Sequence, residues 1–398
     1  MKSWKTVILA GSQYLALATQ LITGPLIARQ LGPEDRGILA TILVVFALLP
    51  IVAGFGTNAQ FRAMVVHGVD APSAYKWLLS RTWISLGISL TAALGVFVFL
   101  PNADPAQLLV VFILLGTSGM ATYRNSVLGG AISLSRLDLI SRNSILNGAI
   151  TLSGVVLLFA AKGLTLSSVC TVYFVANLVS TLVLFRPLAW RSSDGYFPKS
   201  PRYGLGALPG QVGEVGLSRI DQLLVVILLG PVVGGYYAVA FSYAYMLYPL
   251  LHTLSLRGVG GLRAVQANPW KHGRKLSGIF FVTLVGVICL ELMSPIVISI
   301  LFGPLYDESI RISRILLISI GLMGLSIFFI QMNISRARAH ENSVAAISGI
   351  VTIIFLGWLF APTWNATGMA WASVAGVAVN LVLLCLMSRG SAAGRHRG

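Results

Sequence analysis

Charged residues are scarce in this sequence. Asp, Glu, Lys and Arg make up 10% of the 398 residues, against roughly 25% in a soluble domain. Hydrophobic residues make up 56%, and the mean hydropathy is +0.84. Single soluble cores stop growing near ~250–300 residues, so a chain of this length and composition does not suit water. A lipid bilayer is the solvent that fits it.

Cysteine and histidine are also few, which excludes several kinds of site. Cys170, Cys289 and Cys385 all fall in apolar runs far apart in the sequence. We therefore interpret them as small core residues rather than as a disulfide set or a metal site. The five histidines show no paired metal-ligand spacing, and the chain contains no Gly-rich phosphate loop, HExxH motif or DxD pair. We expect no metal, no cofactor and no enzymatic activity.

Long apolar runs recur along the whole chain. A helix that spans the bilayer needs about 20 mostly apolar residues. Because backbone polar groups in lipid must bond within their own segment, such runs predict helices rather than open strands. The twelve predicted spans are 8–28, 38–57, 83–100, 106–132, 144–161, 165–185, 204–229, 232–256, 276–300, 309–332, 343–361 and 368–387.

The basic residues are distributed unequally between the two sets of alternating loops. With the N-terminus inside, 22 of the 28 Lys and Arg residues face the cytoplasm, five face outside, and Arg219 lies within a span. Inner loops carry an excess of Lys and Arg, so both termini are predicted to be cytoplasmic. The net charge of +16 then suits anionic lipid head groups, and we expect no nucleic-acid partner. The five basic residues predicted outside are Arg29, Arg36, Lys162, Arg311 and Arg314.

The two halves of the chain are similar to each other. The tripeptide Leu-Gly-Pro at 31–33 recurs at 229–231, an offset of 198, and Gly37 meets Gly235 in the same register. Near the end of each half, Leu-Phe-Ala at 158–160 recurs at 359–361. With six spans in each half, both halves enter the membrane from the same side. The repeat is therefore parallel, with its axis along the membrane normal.

This repeat predicts the organisation of the chain. We expect an all-α integral membrane protein of about twelve transmembrane helices in two six-helix lobes. The N-lobe covers 1–189, a polar cytoplasmic linker covers 190–203, and the C-lobe covers 204–398 and ends in a short basic tail. Two lobes with a site between them suit alternating access. The other interpretation is that the duplication builds the fold and has no role in a transport mechanism.

Four segments carry a family resemblance. In chain order they are ARQLGPEDRGILA, SRIDQLLVVILLGPVVGGYYAVA, PIVISILFGPLYDESI and GMAWASVAG. They resemble the polysaccharide transporters of the multidrug/oligosaccharidyl-lipid/polysaccharide flippase superfamily, over essentially the whole chain. The resemblance implies two six-helix lobes around a central cavity. It also implies outward flipping of undecaprenyl-diphosphate-linked oligosaccharides across the bacterial cytoplasmic membrane, with no covalent chemistry.

Two differences from related families narrow the range of expected substrates. Relatives that flip the peptidoglycan precursor carry an Arg-Asp pair in the first span, where this chain has Thr23-Gly24. Cation-coupled multidrug exporters of the superfamily use an acidic residue in that span, and 8–28 contains none. Such an exporter stays open as the alternative function. A membrane-embedded saccharide polymerase or ligase is a further alternative, although those enzymes usually carry a long outer loop and this chain has none.

Four charged residues lie inside predicted spans, where a charge at a helix centre costs ~2.5–3.5 kcal/mol. Glu214, Arg219 and Asp221 are in the seventh span, and Glu291 is in the ninth. On a continuous helix Glu214 and Asp221 are two turns apart and share a face. Arg219 faces elsewhere, and Glu291 is its candidate partner. Either Arg219 meets a diphosphate while the carboxylates bind a coupling cation, H⁺ or Na⁺, or these groups form structural ion pairs.

Three further side chains are candidates for substrate binding. Arg124 lies toward the inner end of the fourth span, and Arg62 lies just past the second. A guanidinium fork matches phosphate geometry, although snorkelling arginines that set topology give the same pattern. Gln20 either hydrogen-bonds sugars or links helices. The predicted substrate-binding set is Arg219, Arg124, Arg62 and Gln20, and the ion-coupling set is Asp221, Glu214 and Glu291.

Overall fold

The computed structural model describes residues 2–95, 104–134, 136–185, 201–259, 273–335 and 339–393. Within these ranges all regular structure is helical. Seven helices are long and apolar enough to cross a membrane, by length and composition. Large apolar side chains face outward, with Trp83 70% and Leu292 73% exposed, as lipid contact requires. The predicted all-α membrane fold class is confirmed.

The helices follow one another along the described chain with short connections. They are α1 (Lys2–Ala53), α2 (Thr57–Val66), α3 (Ala71–Ala93), α4 (Pro105–Thr117), α5 (Ala121–Ser133), α6 (Leu137–Ala160), α7 (Leu166–Leu182), α8 (Pro201–Leu217), α9 (Ile220–Leu229), α10 (Pro231–Ala244), α11 (Tyr248–Val259), α12 (Gly273–Phe302), α13 (Glu308–Ser335) and α14 (Ala339–Ala393). Single turns of 3₁₀ helix lie at Ser118–Met120, Val183–Phe185, Tyr245–Leu247 and Pro304–Tyr306.

Two of these helices each contain two spans. Helix α1 is interrupted at Gly32, with φ 75° and ψ 177°, and α14 is interrupted at Asn365, with φ 55° and ψ −143°. Other spans are built from two shorter helices: the second part of α1 with α2, α4 with α5, α8 with α9, and α10 with α11. Grouped in this way, the described helices form twelve spans.

The repeated tripeptide produces the same backbone turn in both halves. Gly32 has φ 75° and ψ 177°, and Gly230 has φ 89° and ψ 168°. Extended backbone with positive φ is essentially restricted to glycine, and the proline that follows is preorganised for the first helical position. Gly303, before Pro304, repeats the conformation with φ 91° and ψ 171°. The Leu-Gly-Pro repeat therefore encodes a reversal between spans.

The glycines of the repeat also meet each other in a close backbone contact. A Cβ added to Gly37 would overlap the carbonyl oxygen of Pro231, and a Cβ added to Gly235 would overlap that of Pro33. At the 198-residue offset Gly37 corresponds to Gly235 and Pro33 to Pro231. The contact therefore maps onto itself, as contacts across a two-fold axis do.

The chain divides into two compact units. The first comprises Met1–Leu31 and Ile42–Val212, and the second comprises Gly32–Thr41 and Gly213–Gly398. Each has its own buried apolar cluster, which includes Phe61, Met64, Leu78 and Tyr123 in the first unit and Ile279, Phe328, Met332 and Leu384 in the second. The lobe bounds 1–189 and 204–398 stay a prediction. Most of the predicted linker 190–203 lies outside the described residues, and Pro201 already begins α8.

Several spans are longer in the structure than predicted. The third span, predicted to begin at position 83, begins at Ala71, where the Asp70 carboxylate accepts a hydrogen bond from the Ser73 backbone N–H at 3.1 Å. The second span, predicted to end at position 57, continues as α2 to Val66. Both extensions carry basic side chains, which lower the local hydropathy. The helices thus run beyond their most apolar stretch.

Candidate functional site

Asp221 is a buried carboxylate in the second unit, 1% exposed. Its Oδ2 accepts a hydrogen bond from the Tyr237 hydroxyl at 2.7 Å, and its Oδ1 accepts one from the Gln222 backbone N–H at 2.8 Å. The Ser373 side chain also lies beside the pair, and its hydroxyl lies 3.2 Å from that of Ser319. Helices α9, α10, α13 and α14 thus supply one oxygen-rich cluster. Hard cations and protons are bound by oxygen ligands of this kind.

A break in the seventh span places Asp221 in this cluster. Helix α8 ends at Leu217 and α9 begins at Ile220, with Arg219 between them at φ −142° and ψ −11°. Asp221 falls in the first turn of α9, where a helix favours negative charge. The prediction that Glu214 and Asp221 share one helical face assumed a continuous helix, and the backbone is interrupted between them. The Glu214 side chain lies outside the described residues.

Arg219 does not pair with Glu291. The Arg219 guanidinium carbon lies 5.9 Å from the centroid of the Phe241 ring, which is a cation–π arrangement. In the described part of the chain the one ion pair joins Arg136 to Asp138 at 3.2 Å. The predicted partnership of Arg219 with Glu291 is therefore wrong.

Glu291 is instead an exposed residue of α12. Pro295 removes the helical donor to the Glu291 carbonyl, and the Ser294 hydroxyl donates to that carbonyl at 2.8 Å. Arg314 in turn lies 3.5 Å from the Ser294 hydroxyl through its Nε. Residues of α12 thus satisfy the backbone locally, and nothing in this contact set involves the Glu291 carboxylate.

The first unit holds the other three predicted substrate-binding residues. Arg124 is partly buried, and its Nη1 donates to Asn177 Oδ1 at 2.7 Å, which links α5 to α7. Arg62 is exposed, lies within α2, and donates through Nε to the Ser133 hydroxyl at 3.1 Å. Gln20 is exposed on α1. Among the residues described, neither arginine has a carboxylate oxygen within 4 Å.

The neighbours of Asp221 were not predicted from the sequence. Tyr237 is 16 positions away and Ser373 lies in the last span, so periodicity within one helix gave no signal. Both stand in the segments that carry the family resemblance. A buried carboxylate requires hydrogen-bond donors, but the requirement alone does not identify them.

The comparisons with known proteins show likeness in fold. Neither a protein-family model nor a curated protein sequence matches the chain. The inward-facing structure of a multidrug resistance MATE family transporter of the MOP superfamily aligns at TM-score 0.70 and 14% identity, over 96% of this chain and 95% of that one. The lipid II flippase MurJ, in an inward closed conformation, aligns at TM-score 0.71 and 14% identity, over 96% and 87%.

A third solved structure, a MATE in complex with MaD5, aligns at TM-score 0.69 and 14% identity, over 99% of this chain and 97% of that one. At 14% sequence identity, these matches establish a shared fold and not a shared function. The chain therefore shares its fold with solved structures of both a drug transporter and a lipid flippase.

Proposed function

We propose that this protein is a flippase that moves an undecaprenyl-diphosphate-linked oligosaccharide from the inner to the outer leaflet of the bacterial cytoplasmic membrane. Movement proceeds by alternating access, without covalent chemistry, and both termini are cytoplasmic. The transporter fold and the four family-like segments support this proposal. Membrane lipids and a coupling cation are the other expected partners.

Two arginines without acidic partners carry the proposal. Arg124 and Arg219 both lie within spans, where a charge is costly, and arginine stays protonated in proteins. Arg124 donates to the Asn177 amide oxygen and Arg219 lies over the Phe241 ring, and no described carboxylate oxygen lies within 4 Å of either guanidinium. Neither guanidinium therefore forms an ion pair with a carboxylate of the described residues. Each guanidinium fork suits a phosphate group of a diphosphate.

Asp221 is the carboxylate best placed to couple transport to a cation. Its cluster spans several helices, so binding or release of H⁺ or Na⁺ there changes the hydrogen bonds between α9, α10 and α14. Glu291 is exposed, which makes it a weaker candidate, and Glu214 stays a candidate on sequence grounds alone. Arg62 and Gln20, both exposed, are assigned to the path of the head group.

A cation-coupled multidrug exporter is the second candidate. The likeness in fold to MATE transporters favours it. An exporter of lipophilic cations needs negative charge along its path, whereas residues 8–28 contain no acidic residue. Arg124 and Arg219, which form no ion pair among the described residues, have the wrong sign for such a substrate. A saccharide polymerase or ligase has the least support, because the similar folds are transporters.

The test uses purified protein in liposomes that contain undecaprenyl diphosphate linked to a fluorophore-tagged oligosaccharide. Dithionite added outside bleaches the outer leaflet only, so complete bleaching reports flipping. We expect complete bleaching with the native protein, and a rate lowered about tenfold in Arg124→Gln because a phosphate fork is lost. Arg136→Gln is the matched control, since Arg136 is exposed and paired with Asp138. Bleaching that stops at the outer leaflet, together with uptake of ethidium, would identify an exporter, and new glycosidic bonds would identify an enzyme.

A further inference from the structure

A second polar site lies in the second unit. A cavity of about 600 Å³ opens where α13 begins and α14 is interrupted at Asn365. Ligand pockets usually measure about 300–1,000 Å³. On the predicted topology this end of the unit faces the outside. Its lining includes Arg311, Thr363, Trp364, Asn365, Thr367 and Trp371.

The hydrogen bonds already made around the cavity define what a ligand must offer. The Thr363 hydroxyl donates to the Phe360 carbonyl at 3.1 Å, and the Thr367 hydroxyl donates to the Trp364 carbonyl at 2.5 Å. Each hydroxyl proton is used, so each oxygen presents lone pairs to a ligand. Asn365 Oδ1 accepts from the Ala366 backbone N–H at 2.9 Å, which leaves the amide hydrogens to donate. A ligand must therefore both donate and accept.

The aromatic residues add apolar platforms to this polar rim. Trp364 is 55% exposed and Trp371 is 44% exposed. The Phe360 ring stacks on Trp364 with centroids 4.9 Å apart, which holds the indole from one side. An indole offers a large rigid apolar face at low conformational cost. A pyranose ring fits both features, since it has an apolar C–H face and a rim of hydroxyls that donate and accept.

We propose that this cavity binds the saccharide portion of the lipid-linked substrate at the outer side of the membrane. Trp364 and Trp371 stack on sugar rings. Arg311 and Asn365 donate hydrogen bonds to sugar oxygens, and Thr363 and Thr367 accept them from sugar hydroxyls. The inference rests on the proposed function and adds a site that receives the sugar after it crosses. The competing explanation is an interfacial tryptophan belt.

The test labels the full chain in lipid nanodiscs with 5-fluorotryptophan. Trp→Phe variants assign the fluorine resonances of Trp364, Trp371 and Trp358. Trp358 is the matched control, because it lies in the same helix α14, is 70% exposed, and does not line the cavity. The probe is the oligosaccharide released by mild acid from the lipid-linked glycan of the producing strain. Undecaprenyl phosphate without sugar serves as the lipid control.

We expect the oligosaccharide to shift the Trp364 and Trp371 resonances saturably while leaving Trp358 unmoved, and the lipid control to shift none selectively. Arg311→Gln, checked for an unchanged thermal transition, should weaken the apparent affinity about tenfold, as loss of charged hydrogen bonds does. Native protein that flips the labelled lipid, with no response at Trp364 and Trp371 or an equal response at Trp358, overturns the inference alone. Saturable shifts in a protein that does not flip the lipid overturn the proposed function and leave the saccharide site standing.

Discussion

The Tyr237 hydroxyl donates a hydrogen bond to Asp221 Oδ2 across 2.7 Å, and both side chains are almost completely buried. Asp221 belongs to the first turn of α9 and Tyr237 to the middle of α10. The bond therefore joins the two helices on either side of the Gly230 turn. A change in what the carboxylate binds alters how these helices are held together.

Tyr237→Phe should lower the free energy of unfolding by about 1–3 kcal/mol, because a buried carboxylate loses a donor. It should also change the dependence of flipping on Na⁺ or pH. Tyr243→Phe is the control, since Tyr243 lies in the same helix, is fully buried, and donates to the Leu290 carbonyl rather than to a carboxylate. Thermal unfolding in detergent and liposome flipping are the measurements. Identical cation dependence in both variants would remove Asp221 from coupling.

A double-mutant cycle between Arg219 and Glu291 should give a coupling free energy below about 0.5 kcal/mol, as expected for residues that are not in contact. The cycle between Arg219 and Phe241, with Arg219→Leu and Phe241→Leu, should give about 0.5–1 kcal/mol for the cation–π contact. Both cycles are read from thermal unfolding. A larger coupling to Glu291 than to Phe241 would contradict this arrangement of the Arg219 side chain.

Gly37→Ala and Gly235→Ala should each destabilise the protein by about 1–3 kcal/mol or more, because overpacking forces the backbone apart. In both cases the new methyl group meets a proline carbonyl rather than a flexible side chain. Gly278→Ala is the control, since nothing lies within 4 Å of its added Cβ. Membrane abundance and thermal transitions measure the effect. A normal transition in either repeat variant would show that the two backbones are not in close contact there.

Lys162→Cys should react in intact cells with a membrane-impermeant thiol reagent, and Lys76→Cys should react only after permeabilisation. Both lysines are exposed and lie near the ends of spans, on opposite sides of the membrane according to the distribution of basic residues. The cysteines are introduced into a variant in which Cys170, Cys289 and Cys385 are replaced by serine. The reverse labelling pattern would invert the topology.

The helical membrane fold was predictable from the sequence because the length of an apolar run is a local property. Leu-Gly-Pro was identified only as part of the repeat, and the turn that it forms at Gly32 and Gly230 was not predicted. The limits of the spans were predicted less well. Basic residues such as Lys76 and Arg81 lie within α3 and lower the hydropathy near its beginning, so the apolar run starts later than the helix does.

The site was predicted only in part. Asp221 stood out because it is charged in an apolar run, but its partners come from spans distant in sequence. The pairing of Arg219 with Glu291 failed because the prediction placed both on ideal helices at similar depth. The break between α8 and α9 instead directs Arg219 toward Phe241. Tertiary packing determines which side chain Arg219 contacts, and the sequence of a single helix does not specify that packing.

The self-corresponding contact of Gly37 and Gly235 bears on the ancestry of the chain. A half-length chain already carries both surfaces of this contact, so two identical copies can form it as a homodimer. In such a dimer every substitution appears twice. Once the copies are joined in one gene, each diverges alone, and the positions that hold Arg219 and Asp221 correspond at the offset to Leu21 and Thr23. Duplication thereby permits one half to acquire charged residues while the corresponding positions of the other half stay uncharged.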